Sequence, residues 1–248
     1  MSRVMIVTGG SRGIGAATVL LAAASGYSVC FSYVGNTARA EGVVDAVEAA
    51  GGRAVGVQAD MATEAGIAKL FETCDREYGK LDVLVNNAGT TGPIRRVADI
   101  DAASLRQVLE LNVLGYFLAA REAIRRMSSA QGGKGGAIVN VSSRAAELGG
   151  AGEWVHYAAS KGATDTFTQG LAREVGREGI RVNAVRPGLI ETELHASAGA
   201  PDRLERLSGG VPFGRAGTAD EVAQTIVWLA SPQASYVSGA LVDVSGAR

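Results

Sequence analysis

The chain is poor in the residues that metal and disulfide chemistry need. It holds two cysteines, Cys30 and Cys74, and two histidines, His156 and His195, with no CxxC or His/Cys cluster among them. That pattern suggests neither a disulfide framework nor a bound metal. No apolar run approaches the roughly 20 residues that span a bilayer. A formal net charge of -1 gives no electrostatic reason to expect nucleic acid or an anionic membrane as partner. The opening "MSRVMIVTGG" enters a strand pattern at once, without the apolar core of a signal peptide, so the cytoplasm is the expected compartment.

Apolar and small residues are abundant instead. Hydrophobic residues make up 47% of the 248, charged residues 20%, and there are 34 glycines, the composition of a globular protein with a sizeable core. Short β-branched runs alternate with amphipathic or alanine-rich stretches. Strands are expected over 4–8, 28–33, 53–60, 81–87, 135–143 and 180–188, and in the closing "GALVDVS". Helices are expected over 13–25, "TARAEGVVDAVEAAG", "EAGIAKLFETCDREYG", roughly 103–128, 155–176 and 220–230. The chain has no linker composition or internal repeat. Such alternation implies right-handed βαβ units and a parallel sheet covered on both faces. The expected fold is a doubly wound, Rossmann-like α/β domain over 1–248 with seven parallel strands. A stretch near 190–217, long and rich in small residues, reads as a lid.

Ligands of such sheets bind beyond the carboxyl ends of the strands. The unusual stretches all fall there: "TGGSRGIG" after the first strand, "YVGN" after the second and Asp60 after the third. "NNAG", "VSS" and "RPG" end the next three. One shared edge favours one ligand cleft. Gly9, Gly13 and Gly15 do not match GxGxxG, and the loop lacks the GK[ST] ending of a P-loop, which argues against ATP chemistry. The loop reads either as a tight strand-to-helix turn or as a cradle for a pyrophosphate on the helix N-terminus. The flanking strand and helix favour the cradle. NAD sites carry Asp or Glu about twenty residues beyond such a loop. Here Tyr33, Val34, Gly35 and Asn36 stand there, with no carboxylate before Glu41. Ser11 and Arg12 stand inside the loop. A guanidinium there would pair with a 2′-phosphate, with Asn36 adding a hydrogen bond, unless Arg12 is an ordinary solvated charge. NADP(H) is therefore favoured over NAD(H).

"VHYAASKGA" places Tyr157 four residues before Lys161, on one helix face. Such a pair is commonly a surface contact. Next to a cofactor cleft it becomes an acid–base pair, because an adjacent ammonium favours phenolate.

Taken in order, "TGGSRGIG", "NNAG", Asn112 in "LNVLGYF", "IVNVSS", "YAASK" and "RPG" resemble the short-chain dehydrogenase/reductases over nearly the whole chain. "GEWVHYAASKGA" and "RPGLIETELHAS" resemble bacterial NADP-dependent members described as glucose or ribitol dehydrogenases. The resemblance implies a tetrad of Asn112, Ser143, Tyr157 and Lys161. The gap from Ser143 to Tyr157 is one residue longer than the family's commonest spacing, and Ser142 would lie further off still. The extra residue is expected to bulge in "RAAELGGAGEW". Tyr157 would be general acid in reduction and general base in oxidation, Ser143 would donate to the substrate oxygen, and Lys161 would hold the ribose. Asn112 would anchor a water relay to Lys161, or is an asparagine tolerated mid-helix.

Cofactor contacts are further implied for Ile14, Met61 and Ile190. Asn86, Ala88 and Gly89 would line the adenosine side and Asp60 would reach the adenine. Pro187 and Gly188 would shape the nicotinamide pocket, and Thr192 would bind the carboxamide or the phosphates. Glu153 and Trp154 would border a small polar substrate. His195 would touch it or lie on the surface, and His156 would pack or face solvent. Helices around Arg106–Met127 and Tyr157–Gly176 are apolar on more than one face, which with the resemblance implies a homotetramer.

The expected function is reduction or oxidation of a small carbonyl, sugar or polyol. A 3-oxoacyl-thioester (acyl-carrier-protein) reductase is a rival, with Arg125, Arg126 and Arg173 read either as its basic landing surface or as solvated helix charges. A non-enzymatic NADP(H) sensor is another, though it would not need the tetrad.

Overall fold

Period-two alternation in the strands gives the molecule its two cores. In the first strand Val4 and Ile6 point to one face of the sheet and Met5 and Val7 to the other. The computed structural model describes residues 2–193 and 198–248. Its seven strands are β1 (Arg3–Val7), β2 (Tyr27–Tyr33), β3 (Arg53–Gln58), β4 (Val83–Asn86), β5 (Gly136–Val141), β6 (Ile180–Pro187) and β7 (Leu241–Val244). They form one sheet in the order β3-β2-β1-β4-β5-β6-β7, and every pairing is parallel. The order reverses between β1 and β4, so the crevice of a doubly wound sheet opens there.

One face is covered by α1 (Gly13–Ala24), α2 (Thr37–Ala49) and, after the stretch expected to be a lid, a helix over Ala219–Ala230. Val19, Val47, Ile226 and Leu229 pack there on Val29, Phe31, Val83 and Val139. The other face is covered by α3 (Glu64–Tyr78) and by helices further along the chain. Leu70, Phe71, Ala123, Met127 and Leu171 pack there on Leu84, Ile138 and Val182. No helix among the described residues is long and apolar enough to cross a membrane.

The single helix expected over 103–128 is three pieces: α4 (Ala102–Leu109), a π-turn over Glu110–Leu114 and α5 (Gly115–Met127). The loop expected after Ser143 contains a short helix, α6 (Ala145–Leu148). It runs out through Gly149, Gly150 and Gly152, all at positive φ, before α7 (Val155–Val175) begins. The stretch expected to be a lid contains α8 (Arg203–Ser208), and α9 is the helix Ala219–Ala230, started by a capping box of Thr218 and Glu221.

Candidate active site

A cleft of about 1340 Å³ runs along the carboxyl edge of the sheet, from the glycine loop to Tyr157. The sequence fixes the loop by close approach. A Cβ on Gly15 would come within 2.1 Å of the Gly9 carbonyl oxygen, and one on Gly10 within 2.6 Å of Phe31 Cβ. Gly9 and Gly13 take positive φ, which a side chain would strain. Thr8, Asn87 and Ser32 then staple the loop. Thr8 Oγ1 accepts from the backbone N–H groups of Asn87 and Ala88, each at 2.9 Å. Asn87 Nδ2 donates to the carbonyls of Thr8 (2.9 Å) and Gly9 (3.0 Å), and Gly9 N–H donates to Ser32 Oγ.

Helix α1 begins without a side-chain cap and without an acidic residue in its first turn, whereas Asn36, Thr63 and Asp101 cap α2, α3 and α4. Its free N–H groups and positive dipole end face the glycine cradle, the arrangement a pyrophosphate fits. The residues present thus fit a dinucleotide. Ser11, Arg12, Ile14, Asn36, Asp60 and Met61 line this end. The Asn36 side-chain oxygen is spent on capping α2 through Arg39 N–H, and Asp60 Oδ1 accepts from Ala62 N–H. Arg39, one helical turn along α2, also lines the cleft. It was not read from the sequence.

Ala88 and Gly89 line the middle of the cleft, as expected. Asn86 does not. It is buried in the sheet, where its Nδ2 donates to Asn140 Oδ1 at 3.0 Å and to the Tyr116 carbonyl, tying β4 to β5. As the last residue of β4 its side chain points into the sheet's packing, and the next residue, Asn87, reaches the cleft. Pro187, Gly188, Ile190 and Thr192 line the opposite wall, with Thr192 Cγ2 placed 3.4 Å from where a Gly13 Cβ would stand.

At the far end, β5 delivers Ser143 and α7 delivers Tyr157 and Lys161. The Ser143 hydroxyl and Tyr157 hydrogen-bond, which with the nearby Arg203 charge opposes the effect of burial. Burial wins and raises the phenol above its ordinary value. Ser142 is turned away, its Oγ donating to the Lys161 carbonyl at 3.2 Å. The Lys161 ammonium donates to the Val141 carbonyl at 2.6 Å and to Tyr116 Oη at 3.3 Å, and lies 5.8 Å from the centre of the Tyr157 ring. The expected lowering of the phenol by Lys161 is therefore not what this arrangement yields. The ammonium faces inward, and its own burial pulls it down to about 7, with Asp165 one turn away pulling back.

Asn112 is fully buried and does not line the cleft; it acts through Thr90, which does. The π-turn lets its amide bridge across: Oδ1 accepts from Thr90 N–H at 2.9 Å, while Nδ2 donates to the Thr90 carbonyl at 2.8 Å and to Ser160 Oγ at 3.0 Å. A Cβ on Gly89 would stand 3.3 Å from Asn112 Oδ1 and 3.6 Å from Lys161 Nζ, so Gly89 leaves the space beside both open.

The Tyr157 end of the cleft is bordered by Glu153 and Trp154, where the substrate was expected, and by Arg203 of α8, which was not foreseen. The Arg203 guanidinium stacks 4.5 Å from the Trp154 ring centre and donates to Glu153 Oε2 from Nη2 (2.9 Å) and Nε (3.1 Å). His156 packs inward, hydrogen-bonded to the Thr91 backbone, and burial lowers its pKa. His195 lies outside the described residues. No cluster that could hold a metal ion occurs among the described residues.

The chain is similar to known proteins over nearly its whole length. A family model described as Enoyl-(Acyl carrier protein) reductase matches residues 9–246. An uncharacterized oxidoreductase, YgfF of Escherichia coli (strain K12), is 50% identical over 245 residues, covering 99% of each chain. A solved short-chain dehydrogenase/reductase from Serratia marcescens BCRC 10948 superposes with a TM-score of 0.91 at 36% identity, over 99% of this chain and 97% of that one. A blue fluorescent protein from a metagenomic library, solved in complex with NADPH, superposes with a TM-score of 0.89 at 36% identity and the same coverage. The chain belongs to the short-chain dehydrogenase/reductase family and is an oxidoreductase of that class.

Proposed function

We propose that the protein is an NADP(H)-dependent oxidoreductase that interconverts a small carbonyl compound and its alcohol, with Tyr157 exchanging the proton. The observation that carries this is the convergence of Ser143, Tyr157 and Lys161 at one end of a cleft. The other end is the uncapped α1 and its glycine cradle. A bound nicotinamide supplies the hydride in reduction and accepts it in oxidation.

Burial keeps the Tyr157 phenol protonated at neutral pH, the form a general acid needs to protonate a reduced carbonyl oxygen. The Ser143 hydroxyl is close enough to Tyr157 to donate to the same oxygen and stabilise its growing negative charge. In oxidation the phenol must first lose its proton, and the nearby Arg203 charge favours that state. Arg12 and Arg39 would hold the 2′-phosphate, and Asp60 and Met61 the adenosine. Asn112 is a positioning residue: it fixes the Thr90 backbone on the cleft wall and leaves Lys161 room beside Gly89.

Of the basic surface expected for an acyl-carrier protein, Arg173 is exposed, while the other two arginines are ion-paired. Arg125 is paired with Glu122 at 2.8 Å, and Arg126 with Asp75 at 2.7 Å and Glu122 at 3.0 Å. Leu114 and Phe117, about half exposed at the start of α5, support the homotetramer, which light scattering after gel filtration tests.

Titrating the purified protein with NADPH and then following absorbance at 340 nm over a panel of aldehydes, ketones, sugars and acetoacetyl thioesters tests the assignment. Binding with turnover of a small carbonyl supports it. Binding confined to NADH, or turnover of the thioester alone, contradicts it.

A further inference from the structure

The two cations at the adenosine end already share an anion supplied by the chain. Arg39 Nη1 lies 2.5 Å and Arg12 Nη1 3.5 Å from the same oxygen, Oε2 of Glu193. All three side chains line the cleft and each stays about half exposed, so solvent and solutes reach them. Arg12 comes from the glycine loop, Arg39 from α2, and Glu193 from the stretch after β6, so three separate segments meet at one charged point.

We infer that Glu193 is a determinant of cofactor selectivity: its carboxylate competes with the cofactor's 2′-phosphate for Arg12 and Arg39, and so narrows the preference for NADP(H) over NAD(H). This rests on the NADP(H) reading above. A carboxylate and a phosphate both present paired anionic oxygens that guanidinium groups bind by the same charge-assisted bonds. A phosphate monoester carries about -1.5 to -2 charges at neutral pH, so it either displaces Glu193 or sits against its negative charge. Both routes weaken binding of the phosphorylated cofactor. A cofactor with a 2′-hydroxyl makes no claim on the arginines and leaves the Glu193 pairs intact. The two arginines raise the carboxylate's resistance to protonation, so the competitor is charged throughout the neutral range.

An exposed ion pair of this kind is worth up to about fivefold in an equilibrium constant. Two pairs on one carboxylate set the expected effect at roughly three- to tenfold. Fluorescence titration of wild type, Glu193→Gln and Glu191→Gln with NADPH and with NADH tests it. Glu191 is an exposed carboxylate two residues away, and Glu191→Gln serves as the control for loss of one negative charge. Expected is a three- to tenfold fall in the NADPH Kd for Glu193→Gln only, with its NADH Kd unchanged. An unchanged or weakened NADPH Kd overturns the inference, as does equal tightening of both nucleotides or an equal effect of Glu191→Gln. Wild type that binds neither nucleotide fails the cofactor reading itself. Wild type that binds both, with a ratio that Glu193→Gln does not move, fails only the role of Glu193.

Discussion

The Lys161 ammonium donates to the Val141 carbonyl at 2.6 Å, so the charge of α7 is tied to the end of β5 rather than to the phenol one turn earlier. A fully buried ammonium is costly unless it is well partnered, and this one has the Val141 carbonyl and Tyr116 Oη. Its pKa of about 7 lies below the ordinary lysine value of 10.5. Below pH 7 both folded and unfolded chains are protonated at this site and the full burial penalty stands. As pH rises from about 7 towards 10.5 the folded state sheds its proton first, and the penalty is relieved.

Lys161→Met therefore raises the melting temperature more at pH 6 than at pH 9, by several degrees at the lower pH, while removing turnover. Thermal unfolding followed by circular dichroism at the two pH values checks the sign. An equal gain at both would mean that Lys161 keeps its proton in the folded protein up to pH 9, so that burial does not lower its pKa.

Asn112→Ala removes the acceptor of the Thr90 N–H, the donor to the Thr90 carbonyl and the bond to Ser160. Each buried group left without a partner costs about 1–3 kcal/mol. The variant is expected to lose about 2–4 kcal/mol of stability in urea denaturation and to turn over more slowly. Stability within 0.5 kcal/mol of wild type, taken as roughly the noise of a surface substitution, would show that the π-turn does not depend on this amide.

Gly15→Ala puts a methyl group 2.1 Å from the Gly9 carbonyl oxygen and 2.6 Å from Asn87 Nδ2. The loop must open to admit it, so NADPH affinity is expected to fall at least about tenfold, with overpacking costing about 1–3 kcal/mol of stability. Gly42→Ala, with nothing within 4 Å of its Cβ, is the matched control and is expected to bind normally. Titration of both with NADPH distinguishes a close-packed cradle from an ordinary turn.

Arg203→Ala breaks the contacts to Glu153 and Trp154 and removes the cation that draws Tyr157 downward. The phenol rises further, so the pH at which oxidation sets in moves up. A pH–rate profile in the oxidative direction, unchanged from wild type, would rule out an electrostatic link.

The strand and helix pattern was legible because both periodicities are strong: β1 to β7 all lie where alternation or apolar runs placed them, and their parallel order follows from the helices between them. The site was legible where backbone need and chemistry coincide, as at Gly9, Gly15, Ser143 and Tyr157. It was not legible where a side chain's partner is distant in sequence. Asn86 resembles a cleft residue in the string "NNAG", yet its partner is Asn140, 54 residues on. Arg39 and Arg203 are unremarkable in sequence, since only the fold brings them to Glu193 and Glu153. The break at 110–114 is a packing effect, with Gly115 lying against the Met61 carbonyl, and no local propensity announces it.

The central claim is that Tyr157 moves the proton. Its most direct test is Tyr157→Phe, with NADPH Kd measured by fluorescence and turnover measured at 340 nm on whichever panel compound wild type reduces. Expected are an NADPH Kd within about twofold of wild type, since the phenyl ring keeps the packing, and a fall in turnover of at least about a hundredfold, the lower end for losing a general acid. Turnover at the wild-type rate would contradict it.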